Sequence, residues 1–96
     1  MKNRYNELKN LYKDYLIFIK KKDKYKLFSI DKDIYDYLKI KKPSHLKSYN
    51  INYIILDNLD LLEKHEFEYN RYDEYYIKVI LINAIKKGFG LWKKLN

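Results

Sequence analysis

The sequence predicts a small α+β domain in which a mixed sheet of three to four strands packs against three to four helices. Its 96 residues suffice for one domain with one modest core. Apolar residues recur with three-and-four spacing near both ends of the chain, which is typical of amphipathic helices. Short β-branched and aromatic runs lie between them and favour strands. We therefore expect residues 1–96 to form a single domain.

The N-terminal third predicts a helix followed by a hairpin. Three-and-four spacing, which is typical of a helix, connects Tyr5, Leu8, Leu11, Tyr12 and Tyr15. Residues 3–14 are therefore predicted to be helical. The apolar run 16–19 and the partly alternating run 25–30 predict two strands. The polar segment 20–24 between them predicts a tight, lysine-rich turn.

The middle of the chain predicts a second helix, patterned by Ile34, Tyr37 and Leu38. Ser29 or Asp31 is expected to cap it. The helix should end before Pro43, because the residue preceding a proline is pushed out of the helical region. Residues 41–50 then read as a long loop.

The second half predicts a central strand, a short element of undecided type and a long helix. Residues 51–56 are apolar on both strand faces, which indicates a buried position in the sheet. Residues 59–64 fit a short helix or a strand.

The last predicted helix covers residues 73–87 and carries one apolar stripe, Ile77, Ile80, Leu81, Ala84 and Ile85. Acidic residues begin it, Lys86 and Lys87 end it, and Gly88 fits a left-handed cap. The segment with Phe89, Leu91 and Trp92 is then expected to form a final strand or a hydrophobic plug.

Composition excludes several classes of protein. No apolar run approaches the roughly 20 residues of a membrane span, and residues 1–7 do not resemble a secretory signal, so a cytoplasmic location is expected, bacterial or that of a host if a phage encodes the chain. The absence of cysteine excludes disulfides and thiolate chemistry. Abundant Lys, Tyr, Ile and Asn indicate an AT-rich genome.

Charge is distributed unevenly along the chain. Residues 1–48 form a basic half with 14 basic and 6 acidic residues, whereas residues 49–96 have 7 of each. Within the second half, residues 57–74 have a net charge of −5. A bipolar molecule of this kind steers charged partners through long-range fields.

Residues 5–40 resemble the N-terminal, mismatch-recognition domain of the MutS family. The helix residues Tyr5, Leu8, Lys9, Tyr12 and Asp14, the strand 16–19, and the segment with Asp23, Tyr25, Leu27, Phe28 and Asp31 carry the resemblance. The resemblance implies a similar N-terminal topology and association with nucleic acid. Mismatch reading is not implied, because Lys24 and Lys26 occupy the positions of the family's wedging phenylalanine and its glutamate.

The densest positive charge lies in the predicted turn, at Lys20, Lys21, Lys22, Lys24 and Lys26. Presented together, these ammonium groups would neutralise nucleic-acid phosphates without sequence preference. Lys41 and Lys42 would extend the patch if the following loop folds back beside it. Arginine dominates specific base reading, and the chain has only Arg4 and Arg71.

The acidic stretch supports a second hypothesis, a protein-interaction module such as a phage or mobile-element inhibitor of a host defence or nucleic-acid-processing complex. Its candidate contact residues are carboxylates, which could imitate a phosphate backbone, and tyrosines, which interfaces favour. They are Asp57, Asp60, Glu63, Glu66, Glu68, Tyr69 and Tyr72. The nucleic-acid hypothesis is preferred because the net positive charge and the resemblance agree.

Catalysis and metal binding have little support in the sequence. His65 lies among glutamates without a recognised ligand spacing. His45 adjoins Ser44, but neighbouring residues seldom face one another and no third group would orient them. We expect a non-enzymatic protein without cofactor or metal.

Overall fold

The computed structural model describes the backbone of residues 2–95 and the side chains of residues 3–88. Over this range the chain forms three α-helices, four strands and one 3₁₀ helix. In chain order they are α1 (Lys2–Leu11), β1 (Leu16–Lys21), β2 (Lys24–Lys26), α2 (Ser29–Leu38), the 3₁₀ helix (Pro43–Tyr49), β3 (Tyr53–Leu56), β4 (Leu62–His65) and α3 (Tyr72–Leu95). The predicted α+β class is confirmed.

The four strands form one mixed sheet in the order β2-β1-β3-β4. The central strands β1 and β3 are parallel, with Leu16 opposite Tyr53 and Ile19 opposite Leu56. The outer strands β2 and β4 each pair antiparallel with their central neighbour. The predicted central position of the third strand is confirmed, and its apolar character on both faces follows from burial on both sides.

Helices cover both faces of this sheet, because alternate residues of β1 enter different cores. Leu16 and Phe18 pack with residues of α2, the 3₁₀ helix and α3. Ile17 and Ile19 pack instead with residues of α1. The sheet is therefore the middle layer, and its hairpin end extends beyond the buried part of β1.

The predicted hairpin is confirmed. Lys21 pairs with Lys24 and Ile19 pairs with Lys26, so only Lys22 and Asp23 form the turn. Lys22 adopts a left-handed φ of 56°, a conformation that costs a lysine about 1 kcal/mol or more. The second strand ends at Lys26, four residues earlier than predicted, because the chain enters α2 at Ser29.

The second helix differs from its prediction at the N-terminus. The cap position is Phe28, and no side chain caps the helix there. The proposed capping role of Ser29 or Asp31 is wrong, because Asp31 is buried and bonds to other elements. The helix ends before Pro43 as predicted, at Leu38, and its cap residue Lys39 adopts a left-handed φ of 56°. The predicted loop 41–50 is largely the 3₁₀ helix.

Residues 57–65 form a turn followed by the strand β4. The element for which the sequence allowed a helix or a strand is therefore a strand. The carboxylate of Asp57 accepts hydrogen bonds from the backbone N–H of Leu59 and Leu61, at 2.8 and 2.9 Å. These bonds hold the turn between β3 and β4. The helical alternative for residues 59–64 is wrong.

The last helix is longer than predicted and presents a different face to the core. It continues through Gly88 to Leu95, so the Gly88 cap and the final strand are both wrong. The predicted plug concerns side chains outside the described residues. Among its described side chains, Tyr72, Tyr75 and Val79 are buried, whereas the predicted stripe lies on the opposite side. Within the described range, no helix combines the length and the apolar character needed to cross a bilayer.

Candidate nucleic-acid interface

The hairpin lysines, Lys20, Lys21, Lys22, Lys24 and Lys26, are divided between the two faces of the sheet by strand geometry. Successive strand residues point to opposite faces, and paired residues share a face. Lys21 and Lys24 are directly paired, and Lys26 shares their face because it pairs with Ile19. Lys20 pairs with Tyr25 and lies on the other face.

An open groove runs along the lysine-rich face of the hairpin. Its volume is about 790 Å³. It is lined by Ile19, Lys21, Lys22, Asp23, Lys24, Tyr25, Lys26 and Asn58. The groove therefore gathers four of the five hairpin lysines, which we call the groove lysines: Lys21, Lys22, Lys24 and Lys26.

Like charges face one another across this hairpin. The Cβ atoms of directly paired residues lie about 5 Å apart, a spacing at which two like charges destabilise the pair. Lys21 and Lys24 occupy such a pair. None of the hairpin lysines forms an ion pair with a described carboxylate. Asp23 lines the same groove but forms no ion pair with these lysines, so no internal ion pair relieves the repulsion.

Two hairpin lysines contact aromatic rings. The Nζ atom of Lys26 lies 5.2 Å from the ring centroid of Phe28, and that of Lys20 lies 5.9 Å from the ring centroid of Tyr25. Tyr25 packs edge-on against buried Phe18. These contacts orient the two side chains without neutralising their charge.

Lys41 and Lys42 lie outside this groove. They follow α2, which carries the chain about 15 Å along its axis after the hairpin. Neither residue is among those that line the groove. That they extend the basic patch stays a prediction.

Most of the acidic residues in the alternative site already have partners within the molecule. Asp60 accepts a hydrogen bond of 2.9 Å from Arg4, and Asp57 holds the turn described above. Glu66 accepts one of 2.7 Å from the hydroxyl of Tyr15 and pairs with Lys64 at 3.0 Å. These bonds hold the pKa of Glu66 below its ordinary value, the Tyr15 bond most strongly.

Glu63 and His65 form a contact of 3.0 Å between Oε1 and Nε2, and the His65 ring stacks on Tyr53 with centroids 4.4 Å apart. In the described part of the chain, no three His, Asp or Glu side chains converge to hold a metal. Glu68 and Tyr69 are exposed.

Tyr72 is not available as an interface anchor, and this part of the prediction is wrong. The residue is only 2% exposed. Its hydroxyl donates a hydrogen bond of 3.0 Å to Asp31. Among the candidate acidic and tyrosine contacts, only Glu68 and Tyr69 therefore combine exposure with the absence of a described hydrogen-bond or ion-pair partner.

A buried polar network at the N-terminal side of the sheet is the principal feature that the sequence analysis missed. At its centre is Asp31, which is fully buried. It accepts hydrogen bonds from the hydroxyl of Tyr5 (3.0 Å), Nζ of Lys9 (2.8 Å), the backbone N–H of Ile17 (3.2 Å) and the hydroxyl of Tyr72 (3.0 Å). We call this set the Asp31 network. It joins α1, β1, α2 and α3.

Burial dominates the electrostatics of the Asp31 network. It raises the pKa of Asp31, and the nearby ammonium of Lys9 and the hydroxyl donors oppose that rise. Burial also lowers the pKa of Lys9, which Asp31 opposes. The pKa values of Tyr5 and Tyr72 are raised, because burial and the Asp31 carboxylate both disfavour a phenolate.

A signal for this network was present in the sequence. Asp31 lies three residues before Ile34 and seven before Leu38, so it occupies an apolar position of the α2 pattern. A charged residue at such a position must be paired when it is buried. The partner Lys9 lies four residues after Tyr5 on the buried face of α1.

Comparison with known proteins found no match: no family model, no curated protein and no solved structure matches the chain. The resemblance of residues 5–40 to the MutS N-terminal domain stays a prediction.

Proposed function

We propose that this protein binds nucleic acid through the phosphate backbone, with the groove lysines as its contacts. The observation that carries the proposal is the set of four lysines around one groove, without an internal carboxylate partner. A polyanion laid along the groove would supply the missing counter-charge. Neutralisation of phosphates by lysine releases condensed counterions, which drives binding that is independent of sequence.

The energetic cost of the arrangement supports an external ligand. A directly paired Lys21 and Lys24 destabilise the hairpin, and Lys22 adds backbone strain at the turn. Other cations of the molecule, such as Lys9, Lys32 and Lys64, are paired with carboxylates. Repulsion that persists in the free protein becomes favourable contact once phosphates lie between the ammonium groups.

Binding without base recognition fits the state of the two arginines. Arg4 bonds to Asp60 and Glu7, and Arg71 bonds to Glu74 at two nitrogens. Both guanidinium groups are thus engaged with carboxylates and are not free for bidentate contacts to bases. The lysines contribute point charges, which position a backbone without reading its sequence.

A simpler role for these lysines is protection of an exposed sheet edge. The strand β2 lies at one edge of the sheet, and charged edge residues discourage pairing with other chains. This role requires charge at the edge but no affinity for phosphate. The two explanations therefore differ in what they predict for binding.

The test is a fluorescence-anisotropy titration of labelled single-stranded and double-stranded oligonucleotides over a series of salt concentrations. We expect salt-sensitive binding by the wild type. The variant K21Q/K22Q/K24Q/K26Q should bind much more weakly. Its binding should also depend less on salt: the magnitude of the negative slope of the logarithm of the association constant against the logarithm of the salt concentration should fall by about 3, as the loss of four phosphate contacts requires.

A control variant, K13Q/K39Q/K47Q/K86Q, removes the same charge from exposed positions that do not line the groove. It should retain most of the wild-type affinity and slope. Equal losses in the two variants would reduce the effect to net charge and contradict the proposed site. Absence of binding by the folded wild type would overturn the proposed function.

A further inference from the structure

The helix α3 presents two apolar faces, and the described residues cover only one of them. Tyr72, Tyr75 and Val79 are buried against the rest of the domain. The stripe of Ile77, Ile80, Leu81, Ala84 and Ile85 lies on the opposite side, because a helix turns by about 100° per residue. A helix that is apolar on two faces is typical of one that contacts a second partner.

The exposed stripe is continuous, because its residues are spaced three and four positions apart along the helix. Ile77 is 56% exposed, Ile80 42%, Leu81 56% and Ile85 59%. Tyr76 borders them at 39%. Soluble proteins seldom leave contiguous apolar patches of more than a few hundred Å² uncovered unless the patch binds something. The spacing of three and four residues suits another helix packed alongside.

The charges at the two ends of the stripe indicate what kind of helix would pack against it. Asp73 lies before the stripe and Lys87 after it, and both are exposed. Neither forms an ion pair within the described part of the chain. By helical rotation both lie toward the same flank of the stripe. The stripe is thus complementary in charge to an antiparallel copy of itself.

We propose that two copies of this protein form an antiparallel dimer through the exposed face of α3. With the two-fold axis at Ile80, Asp73 of each protomer lies opposite Lys87 of the other. A parallel pair would instead place like charges together. The pairing is isologous, as most dimer interfaces are, and it covers the apolar side chains of both copies. It does not depend on the proposed binding of nucleic acid.

The register makes the dimer testable by charge exchange. In the single variants D73K and K87D, two repulsive contacts replace two attractive ones, which should raise the dimer dissociation constant about tenfold. The double variant D73K/K87D restores both pairs and should return the constant to near the wild-type value. Sedimentation equilibrium on the full chain measures the dimer dissociation constant of the wild type and of the three variants.

A substitution in the stripe tests the apolar contact itself. Ile80→Glu should convert the protein to a monomer, whereas Leu11→Glu, at an equally apolar and more exposed site on α1, should leave the dimer intact. Far-UV circular dichroism confirms that each variant is folded. A specific dimer should have a dissociation constant below about 100 µM. A wild type that stays monomeric at that concentration would overturn the proposal. So would a dimer that ignores both Ile80→Glu and the charge exchange.

Discussion

Two groups of charged side chains in this protein follow opposite rules. In the Asp31 network the carboxylate has four donors, and its cation, Lys9, also bonds to the carbonyl of Tyr15 and the hydroxyl of Tyr72. In the groove, four lysines share one surface with Asp23, and none of them forms an ion pair with a described carboxylate. The first group has its partners within the chain, whereas the second is the one for which we propose a partner outside it.

The contrast separates charge that holds the fold together from charge that we propose to bind a ligand. A buried ion needs its partners in place before water is excluded, so the Asp31 network ties the helices to the sheet. Exposed lysines tolerate the lack of a partner because solvent screens them. Substitutions should therefore affect stability in the network and binding in the groove.

The largest expected effect is on stability, from Asp31→Ala. Removal of the carboxylate leaves the ammonium of Lys9 and two tyrosine hydroxyls without their shared acceptor. We expect the free energy of unfolding to fall by about 3–5 kcal/mol, the range found when one partner of a buried pair is removed. Urea denaturation followed by circular dichroism measures it.

The control for this prediction is Asp36→Ala, which breaks the exposed pair with Lys32 on the same helix. Its effect should stay below about 0.5 kcal/mol. Similar losses in both variants would show that the buried network has no special weight in stability.

A second prediction uses the raised pKa values of Tyr5 and Tyr72. In the unfolded chain these tyrosines ionise near pH 10, whereas in the folded protein they stay protonated to higher pH. The contribution of the two protonated tyrosines to the free energy of unfolding is complete below pH 10. It is lost as the pH rises toward the pKa values that these tyrosines have in the folded protein. Above pH 10, each should lower the free energy of unfolding by about 1.4 kcal/mol per pH unit.

Tyr72→Phe isolates this contribution. The variant is less stable at neutral pH, because Asp31 loses a donor, but its stability should decline less steeply between pH 10.5 and 11.5. Urea denaturation at three pH values in that window gives both slopes. Equal slopes would contradict the assignment of a raised pKa to Tyr72.

The smallest expected effect sharpens the comparison most, because stability and binding should change in opposite directions. Lys24→Glu converts the paired lysines of the hairpin into an attractive pair with Lys21. The free energy of unfolding should rise by about 0.5 kcal/mol, while the affinity for an oligonucleotide falls. Lys20→Glu, on the other face, should weaken binding less. A loss of stability in Lys24→Glu would show that the lysine pair is not under repulsion.

The elements with local signals were predictable from the sequence. The hairpin, the central strand and the first helix follow from runs of apolar residues whose period matches the structure. The end of α2 followed from Pro43. The lysine turn was found for the same reason, since its charge density and its flanking strands lie within one short segment.

The failures concern features that depend on distant contacts. Asp31 has the local character of a helix cap, and its spacing from Ile34 and Leu38 indicates burial, but only the structure identifies Tyr5, Lys9 and Tyr72 as its partners. Gly88 has the character of a helix end, but a glycine inside a helix costs only about 1 kcal/mol and does not stop one by itself. The apolar stripe of α3 was correctly identified as helical, yet periodicity cannot tell a core face from an exposed one.

The parallel pairing of β1 and β3 has a consequence for synthesis on the ribosome. Leu16 meets Tyr53 only after the intervening helices have been made, so the central ladder closes late and at a large cost in chain entropy. Until then, the aliphatic run of residues 16–19 lacks its neighbour on one side. The nascent chain therefore passes through a stage in which its most apolar strand is open to wrong partners, and slower translation of residues 20–52 should increase its aggregation.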